Sequence, residues 1–158
     1  MKDELLTLLS NRLPLLGCEL APDAALRLAR YGALLADWNQ RMNLTGDTAP
    51  ETICDRLILD SLAPLTLDSA FPRGASVIDV GTGAGLPGLP LAIARPDLRV
   101  MLLDSLQKRV RFLQAVIDDL ALPNVTAMQA RAEDGAHSPL RERYDRATAR
   151  AVAQLPTL

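Results

Sequence analysis

The sequence predicts an α/β protein in which a helical segment precedes an open, doubly wound parallel sheet. Three observations predict this fold class: apolar residues recur at helical spacing before residue 70, short apolar runs alternate with helical stretches after it, and a glycine-rich segment closes the first of those runs. The chain has 158 residues, 49% of them hydrophobic, which is enough for one buried core. We expect a helical segment at residues 1–70, packed on the sheet, and the sheet core at residues 71–158.

Three helices are predicted in the first segment. Apolar residues at helical spacing mark a first helix over about 5–16 and a second over about 26–38. A third is expected over about 50–65, where proline occupies the first turn. Thr48 and Glu51 have the spacing of a capping box at its start, in which each side chain satisfies a backbone N–H of the other residue.

Strands and helices alternate in the second segment. The runs at about 76–80, 100–103 and 125–128 are short, apolar and bounded by turn-forming residues, which is typical of buried parallel strands. Between them, the stretches at about 87–95 and 106–120 repeat apolar residues at helical spacing. Strand–helix–strand units of this length predict right-handed crossovers in a parallel sheet.

A fourth strand is predicted from Tyr144 to Arg150, although Asp145 and Arg146 interrupt its apolar pattern. The chain extends only to Leu158, a few residues further. Because a doubly wound sheet usually has strands on both sides of its first strand, either the domain is unusually small or its C-terminal strands are missing from this chain.

Composition narrows the class of protein. A formal net charge of −2 excludes the whole-molecule attraction of strongly basic domains for nucleic acid, so any RNA contact must come from a local patch. Cys18 and Cys54 lie far apart without a CxxC pattern, which indicates a reducing compartment and no zinc site. No apolar run is long enough to span a bilayer, and no leader pattern opens the chain. We expect a cytoplasmic, monomeric protein without a membrane or metal partner.

The glycine-rich segment follows the first predicted strand. From Asp79 to Gly88 the chain carries four glycines, which allow positive φ and a close approach of the backbone to a ligand. Its place between a strand and a helix indicates a nucleotide-like ligand. Gly83, Gly85 and Gly88 also satisfy the GxGxxG pattern of dinucleotide sites, so the spacing alone leaves a dinucleotide open.

Charge favours one cofactor over the other. A pyrophosphate at this helix start would face Asp79 and be repelled, whereas the sulfonium and amino groups of S-adenosylmethionine would be attracted. Asp104 closes the second strand, 23 positions after Gly81, where an acid can accept hydrogen bonds from ribose hydroxyls. Asp104 could instead cap the following helix, as Ser105 could. We therefore expect a nucleoside cofactor, S-adenosylmethionine rather than NAD.

These segments resemble the family of bacterial 16S ribosomal RNA guanine-N7 methyltransferases, also called glucose-inhibited division protein B. The resemblance covers nearly the whole chain, and six motifs occur in the family's order. They are Trp38-Asn39 with Met42-Asn43-Leu44-Thr45, Ile58-Leu59-Asp60-Ser61-Leu62, the stretch from Asp79 to Gly88, Leu103-Asp104-Ser105 with Lys108-Arg109, Arg131-Ala132-Glu133, and Ala149-Arg150-Ala151-Val152.

The resemblance implies a Rossmann-like, class I S-adenosylmethionine-dependent methyltransferase with an N-terminal helical extension. It implies methylation of a guanine N7 in 16S ribosomal RNA, with the RNA or the small ribosomal subunit as partner and no catalytic acid or base. It also assigns the cofactor to eight residues. They are Gly81 and Leu86 lining it, Gly83 and Gly85 shaping the loop, Asp104 at the ribose, Ala132 and Glu133 at the adenine, and Arg150 at the mouth shared with the substrate.

The chain departs from the family in two respects. Leu57 stands where the family usually has a histidine, directly after Arg56, so any role of that histidine is lost or unnecessary here. The family's chains also continue past Leu158, so later strands and part of an RNA-binding surface are expected to lie outside this sequence.

Several observations leave alternatives open. Lys108, Arg109 and Arg111 avoid the apolar stripe of their helix, and they are either a solvated face or, because cations oppose the dipole at a helix start, a phosphate-binding patch. His137 lies in a predicted loop and is expected to be a surface residue. The residues alone also admit a nicotinamide-dependent oxidoreductase or a non-catalytic nucleotide-binding module.

Overall fold

The N-terminal part of the chain is helical, as predicted. The computed structural model describes residues 1–135, 140 and 142–150. Helix α1 is Lys2–Arg12, continued by a 3-10 turn at Leu13–Leu16, and helix α2 is Ala24–Asn39. The third predicted helix, α3, extends over residues 50–66.

Helix α3 changes its hydrogen-bonding pattern along its length. It consists of an α-helical turn, a π-helical stretch, a second α-helical turn and a 3-10 turn, which are Pro50–Thr52, Ile53–Leu59, Asp60–Leu62 and Ala63–Thr66. A π stretch places an extra residue in the turn, and such stretches are frequent at functional sites.

The predicted capping box at the start of α3 is wrong. The capping residue is Ala49, which has no side-chain oxygen to accept a hydrogen bond. Asp47 supplies the acceptors instead: its carboxylate accepts from the Ala49 N–H at 2.9 Å and from the Thr52 hydroxyl at 2.7 Å. The physical reason is that a charged carboxylate is a stronger acceptor than the Thr48 hydroxyl.

The predicted parallel sheet is confirmed. Strand order is β3-β2-β1-β4, with all pairs parallel. The strands are β1 Ser76–Val80, β2 Arg99–Asp104, β3 Val125–Gln129 and β4 Arg146–Ala149, and the helices among them are α4 Gly88–Ala94, α5 Gln107–Asp119 and α6 Ala132–Gly135.

The polar residues that interrupt the pattern of the predicted fourth strand form hydrogen bonds at its start. Asp145 donates its N–H to the Ser76 carbonyl at 2.9 Å, and its carboxylate accepts from the Ser76 N–H at 2.8 Å. Arg146 Nε donates to the Ala70 carbonyl at 2.7 Å. The two residues that interrupt the apolar pattern therefore fix β4 beside β1.

One hydrophobic core connects the helices with one face of the sheet. Its fully buried members come from both predicted segments, including Leu5 and Tyr31 on one side and Leu102 and Phe112 on the other. Leu57, the departure from the family, is also buried in this core. The division of the chain at residue 70 stays a prediction. Since all four strands are parallel, their carboxyl ends meet at one edge, where ligands bind in open α/β sheets.

Candidate functional site

The glycine loop between β1 and α4 is held against the neighbouring strand. Thr82 donates its backbone N–H to the Leu103 carbonyl of β2 at 2.9 Å. Gly81, Gly83 and Gly85 have φ angles of 64°, 59° and 90°, in the region that favours glycine. The loop thus lies across the carboxyl ends of β1 and β2 with its backbone close to any ligand there.

Asp79, the last but one residue of β1, holds this loop from inside. Its side chain is fully buried, and its carboxylate accepts from the Thr82 hydroxyl at 2.6 Å, the Gly88 N–H at 2.9 Å and the Thr148 hydroxyl at 3.0 Å. Burial raises the pKa of this carboxyl, and the three hydrogen bonds oppose that rise. The loop and β4 surround Asp79, and its predicted attraction for the cationic groups of a ligand stays a prediction.

Asp104, at the end of β2, also binds the loop. Its side chain is 2% exposed, and Oδ2 accepts from the Gly83 N–H at 2.9 Å while Oδ1 accepts from the Leu106 N–H at 3.0 Å. Arg109 Nη1 lies 3.5 Å from Oδ2. Asp104 therefore stabilises the start of α5, which was the alternative to a ribose role. A carboxylate has about four acceptor positions, so these contacts are compatible with the predicted ribose role.

A cavity opens beside the loop at the carboxyl edge of the sheet. Its volume is about 290 Å³, and its walls are Val80, Gly81, Ser105 and residues 130–133. The wall includes three predicted cofactor residues, Gly81, Ala132 and Glu133, from the ends of β1 and β3. The volume is at the lower limit of ligand sites, roughly 300–1,000 Å³, so a ligand longer than a nucleoside must extend outside it.

Arg150 lies on the other side of the loop. It follows β4, whose Ala149 pairs with Val80 of β1, so it stands beside Gly81. Its Nη2 donates to the Arg56 carbonyl at 2.9 Å and lies 3.1 Å from Asp60 Oδ2, both on helix α3. The N-terminal helices therefore reach the edge of the sheet where the cofactor residues are predicted.

Comparison with known proteins places this arrangement in a family. The profile of the GidB family, described as rRNA small subunit methyltransferase G, matches residues 25–158. The chain belongs to this family. The resemblance inferred from the six motifs is confirmed.

Two relatives in the methyltransferase G family illustrate the match. The ribosomal RNA small subunit methyltransferase G of Clostridium perfringens strain SM101 is 47% identical over 143 residues, and that of Desulfitobacterium hafniense is 46% identical over 144 residues. Each alignment covers 90% of this chain and 59% of the relative. The chain thus spans about three fifths of the length of the relatives it matches.

A solved structure supports the fold. The crystal structure of precorrin-6y C5,15-methyltransferase from Geobacter metallireducens superposes with a TM-score of 0.50 at 18% identity, covering 68% of this chain and 51% of that one. At this identity the likeness concerns the fold alone, and it agrees with the predicted Rossmann-like α/β class.

The remaining predicted residues differ in where they lie. Leu86 is half-buried and packs against the core rather than lining the cavity. Lys108 and Arg111 are exposed, but Arg109 has an internal counter-ion in Asp104, so the dipole argument for an external anion does not hold for Arg109. His137 lies outside the described residues, as do the last two residues of the sixth motif.

Three side-chain hydroxyls that stabilise the glycine loop were not predicted from the sequence. Thr82 could have been suspected, since a hydroxyl three residues after a buried acid can bond to it. Thr148 and Tyr31 gave no local signal, because their partners lie 69 and 53 residues away. Among the described residues, no cluster of three or more His, Cys, Asp or Glu side chains has the arrangement of a metal site, and no helix there has the length and apolarity to cross a bilayer.

Tyr31→Phe is expected to destabilise the glycine loop. The buried Tyr31 hydroxyl donates to the Ala84 carbonyl at 2.8 Å, and its removal leaves that acceptor without this partner, a loss of about 1–2 kcal/mol in the free energy of unfolding. Urea denaturation measures the loss. Tyr144→Phe, at the opposite edge of the sheet, is the control and should change stability by no more than about 0.5 kcal/mol. Equal effects would contradict the bracing role.

Proposed function

We propose that this chain carries the cofactor-binding part of an enzyme that methylates a guanine N7 in 16S ribosomal RNA. One geometric observation supports the proposal beyond family membership: Gly81 after β1 and Ala132 with Glu133 after β3, which the resemblance assigns to the cofactor, line one cavity. Asp104, at the end of the strand between them, binds the loop that closes this cavity. The cofactor we propose is S-adenosylmethionine.

The position of Asp79 favours this cofactor over a dinucleotide. Dinucleotide sites direct the N–H groups at the start of the helix after β1 toward a pyrophosphate. Here the Gly88 N–H, the first of α4, donates to the Asp79 carboxylate at 2.9 Å. A pyrophosphate would have to displace this buried anion or bind beside it, and both are costly. A ligand without phosphate meets no such conflict.

The proposed reaction needs orientation more than proton transfer. S-adenosylmethionine supplies an electrophilic methyl group on its sulfonium. Guanine N7 presents a lone pair as an acceptor, so it can attack without first losing a proton. The glycine loop, Asp104 and Glu133 would hold the nucleoside end, while Arg150 would lie beyond the sulfonium, near the amino-acid end. Bringing N7, methyl carbon and sulfur into line is then the main contribution of the protein.

The rate of methyl transfer is expected to be nearly independent of pH between about 6 and 9, because no general base has to titrate. Single-turnover rates across this range measure it. His137→Ala should keep near-normal activity, since histidine is the side chain that ordinarily titrates in this window. A rate that falls about tenfold per pH unit below about pH 7, and is abolished by His137→Ala, would show that a base is at work.

Lys108 and Arg111 are expected to contact RNA phosphates. Both are exposed and lie three residues apart on α5, so they share a face. Reversing both to glutamate should weaken RNA binding and reduce the slope of log affinity against log salt by about 0.7–0.9 for each phosphate that is no longer neutralised. The control is the double variant Arg73→Glu and Arg99→Glu, which changes the net charge by the same amount. These two cations are exposed and lie at the opposite edge of the sheet. Equal slopes in the two double variants would contradict a local patch.

Methyl transfer to small-subunit RNA tests the proposed function. The chain is incubated with labelled S-adenosylmethionine and with 16S RNA or small subunits that lack the modification, and the product is mapped by mass spectrometry. We expect 7-methylguanine at one position. Label on another atom or base, or a chain that does not bind the cofactor, would contradict the proposal.

A further inference from the structure

Arg150 is oriented from outside the sheet by two groups of helix α3. Its Nη2 donates to the backbone carbonyl of Arg56 at 2.9 Å and lies 3.1 Å from Asp60 Oδ2. These partners precede Arg150 by 94 and 90 positions, so the contact joins the N-terminal helices to the carboxyl end of β4. A guanidinium carries three further N–H groups on Nε and Nη1.

The π-helical stretch makes the Arg56 carbonyl available. In an α-helix, the Asp60 N–H would donate to the carbonyl four residues back, that of Arg56. Here it donates to the Asp55 carbonyl, five residues back. The Arg56 carbonyl therefore lacks its usual helical partner and accepts from Arg150. The π-helical hydrogen bonding of α3 therefore leaves free the carbonyl that orients Arg150.

The order of the strands indicates which part of the cofactor lies near Arg150. Along the edge, the residues predicted for the adenine follow β3, Asp104 ends β2, the loop follows β1, and Arg150 follows β4. A ligand laid along this edge from its adenine reaches Arg150 with its amino-acid end. The carboxylate at that end is the group that a guanidinium binds best.

We propose that Asp60 and the Arg56 carbonyl are positioning groups, which direct the remaining N–H groups of Arg150 to the amino-acid carboxylate of the cofactor. The inference rests on the proposed function. The Asp60 side chain is 61% exposed, so its ion pair contributes little to folding. Its charge is also well screened from the ligand carboxylate. Asp60 holds the Arg150 side chain in one orientation. Without Asp60, the ligand would have to order this side chain on binding, at a cost in conformational entropy.

The test compares two ligands that differ only at the amino-acid end. S-adenosylhomocysteine carries the carboxylate, and 5′-methylthioadenosine lacks the amino-acid part. Calorimetry on this chain should show that Asp60→Asn weakens S-adenosylhomocysteine about tenfold, the value of roughly one oriented hydrogen bond to a charged group. The affinity for 5′-methylthioadenosine should change by less than about twofold, since this ligand has no carboxylate for Arg150 to bind. A purely structural role of Asp60 would move both affinities together.

Two further variants serve as controls. Asp55→Asn removes the same charge from the same helix, but Asp55 pairs with Arg12, so both affinities should stay within about twofold. In an Arg150→Ala background, Asp60→Asn should have no further effect, because a positioning group acts only through the residue it positions.

The outcomes separate this inference from the function on which it rests. If the unmodified chain binds both ligands and Asp60→Asn changes neither affinity, or weakens both equally, or tightens S-adenosylhomocysteine, the positioning role is wrong and the proposed function stands. If the unmodified chain binds neither ligand, the proposed function itself is contradicted and the inference is overturned with it.

Discussion

Gly85→Ala is expected to lower the free energy of unfolding by about 2–5 kcal/mol. Two effects add: a φ of +90° that an alanine adopts only at a cost of about 1–2 kcal/mol, and overpacking that costs about 1–3 kcal/mol more. A Cβ at Gly85 would lie 2.3 Å from Leu89 Cδ1 and 3.2 Å from Leu113 Cδ2. Both leucines are fully buried, so moving either aside would displace other core side chains. Urea denaturation measures the loss.

Gly83→Ala is the matched control for this prediction. Gly83 lies in the same loop with a φ of +59°, but a Cβ there would have no heavy atom within 4 Å. Only the backbone cost remains, and the loss should be about 1–2 kcal/mol. Equal losses in the two variants would show that the loop does not pack against α4 and α5 as described.

Asp104→Ala is expected to weaken the binding of S-adenosylhomocysteine by about 10- to 150-fold, the range for hydrogen bonds to a charged group. The structure adds a second effect. Two backbone donors, the N–H groups of Gly83 and Leu106, lose their acceptor, and because both are only partly buried, water replaces part of each bond, so the loss should be about 1–3 kcal/mol in total. The fold should survive with lower stability. Calorimetry and thermal unfolding of the same samples measure both effects.

Asp97→Ala separates loss of stability from loss of the site. Asp97 lies at the opposite edge of the sheet, accepts from the Gly74 N–H at 2.9 Å and from two nitrogens of Arg95, and these bonds hold the pKa of its carboxyl well below the ordinary value. Its removal should destabilise the chain without changing cofactor affinity. If Asp97→Ala and Asp104→Ala weaken binding equally, the effect is one of folding and Asp104 does not belong to the site.

The sequence predicted the architecture well because apolar periodicity determines it. β1 was predicted at its observed bounds, and β2 extends only to Arg99 and Asp104 beyond the predicted run. The fourth strand was harder, because the polar residues at its start contradict the pattern of a buried strand. Their partners, Ser76 and Ala70, are distant in sequence and visible only in the fold.

The site was predicted less completely than the fold. The glycine pattern located the loop, and the spacing of 23 positions from Gly81 located Asp104. The place of Asp79 directly before the loop predicted that it lies near the start of the following helix. The direction in which the Asp79 carboxylate points could not be predicted, because it depends on hydroxyls from the loop and from β4. The π turn of α3 has no signature in local apolar spacing, so the link from Asp60 to Arg150 appears only in three dimensions.

Calorimetric titration of this chain with S-adenosylhomocysteine and, separately, with NADH distinguishes a methyltransferase site from a dinucleotide site. We expect S-adenosylhomocysteine to bind at one site and Asp104→Ala to weaken it. NADH should not bind, because the Asp79 carboxylate occupies the start of α4. Binding of NADH without binding of S-adenosylhomocysteine would show that the site is a dinucleotide site instead.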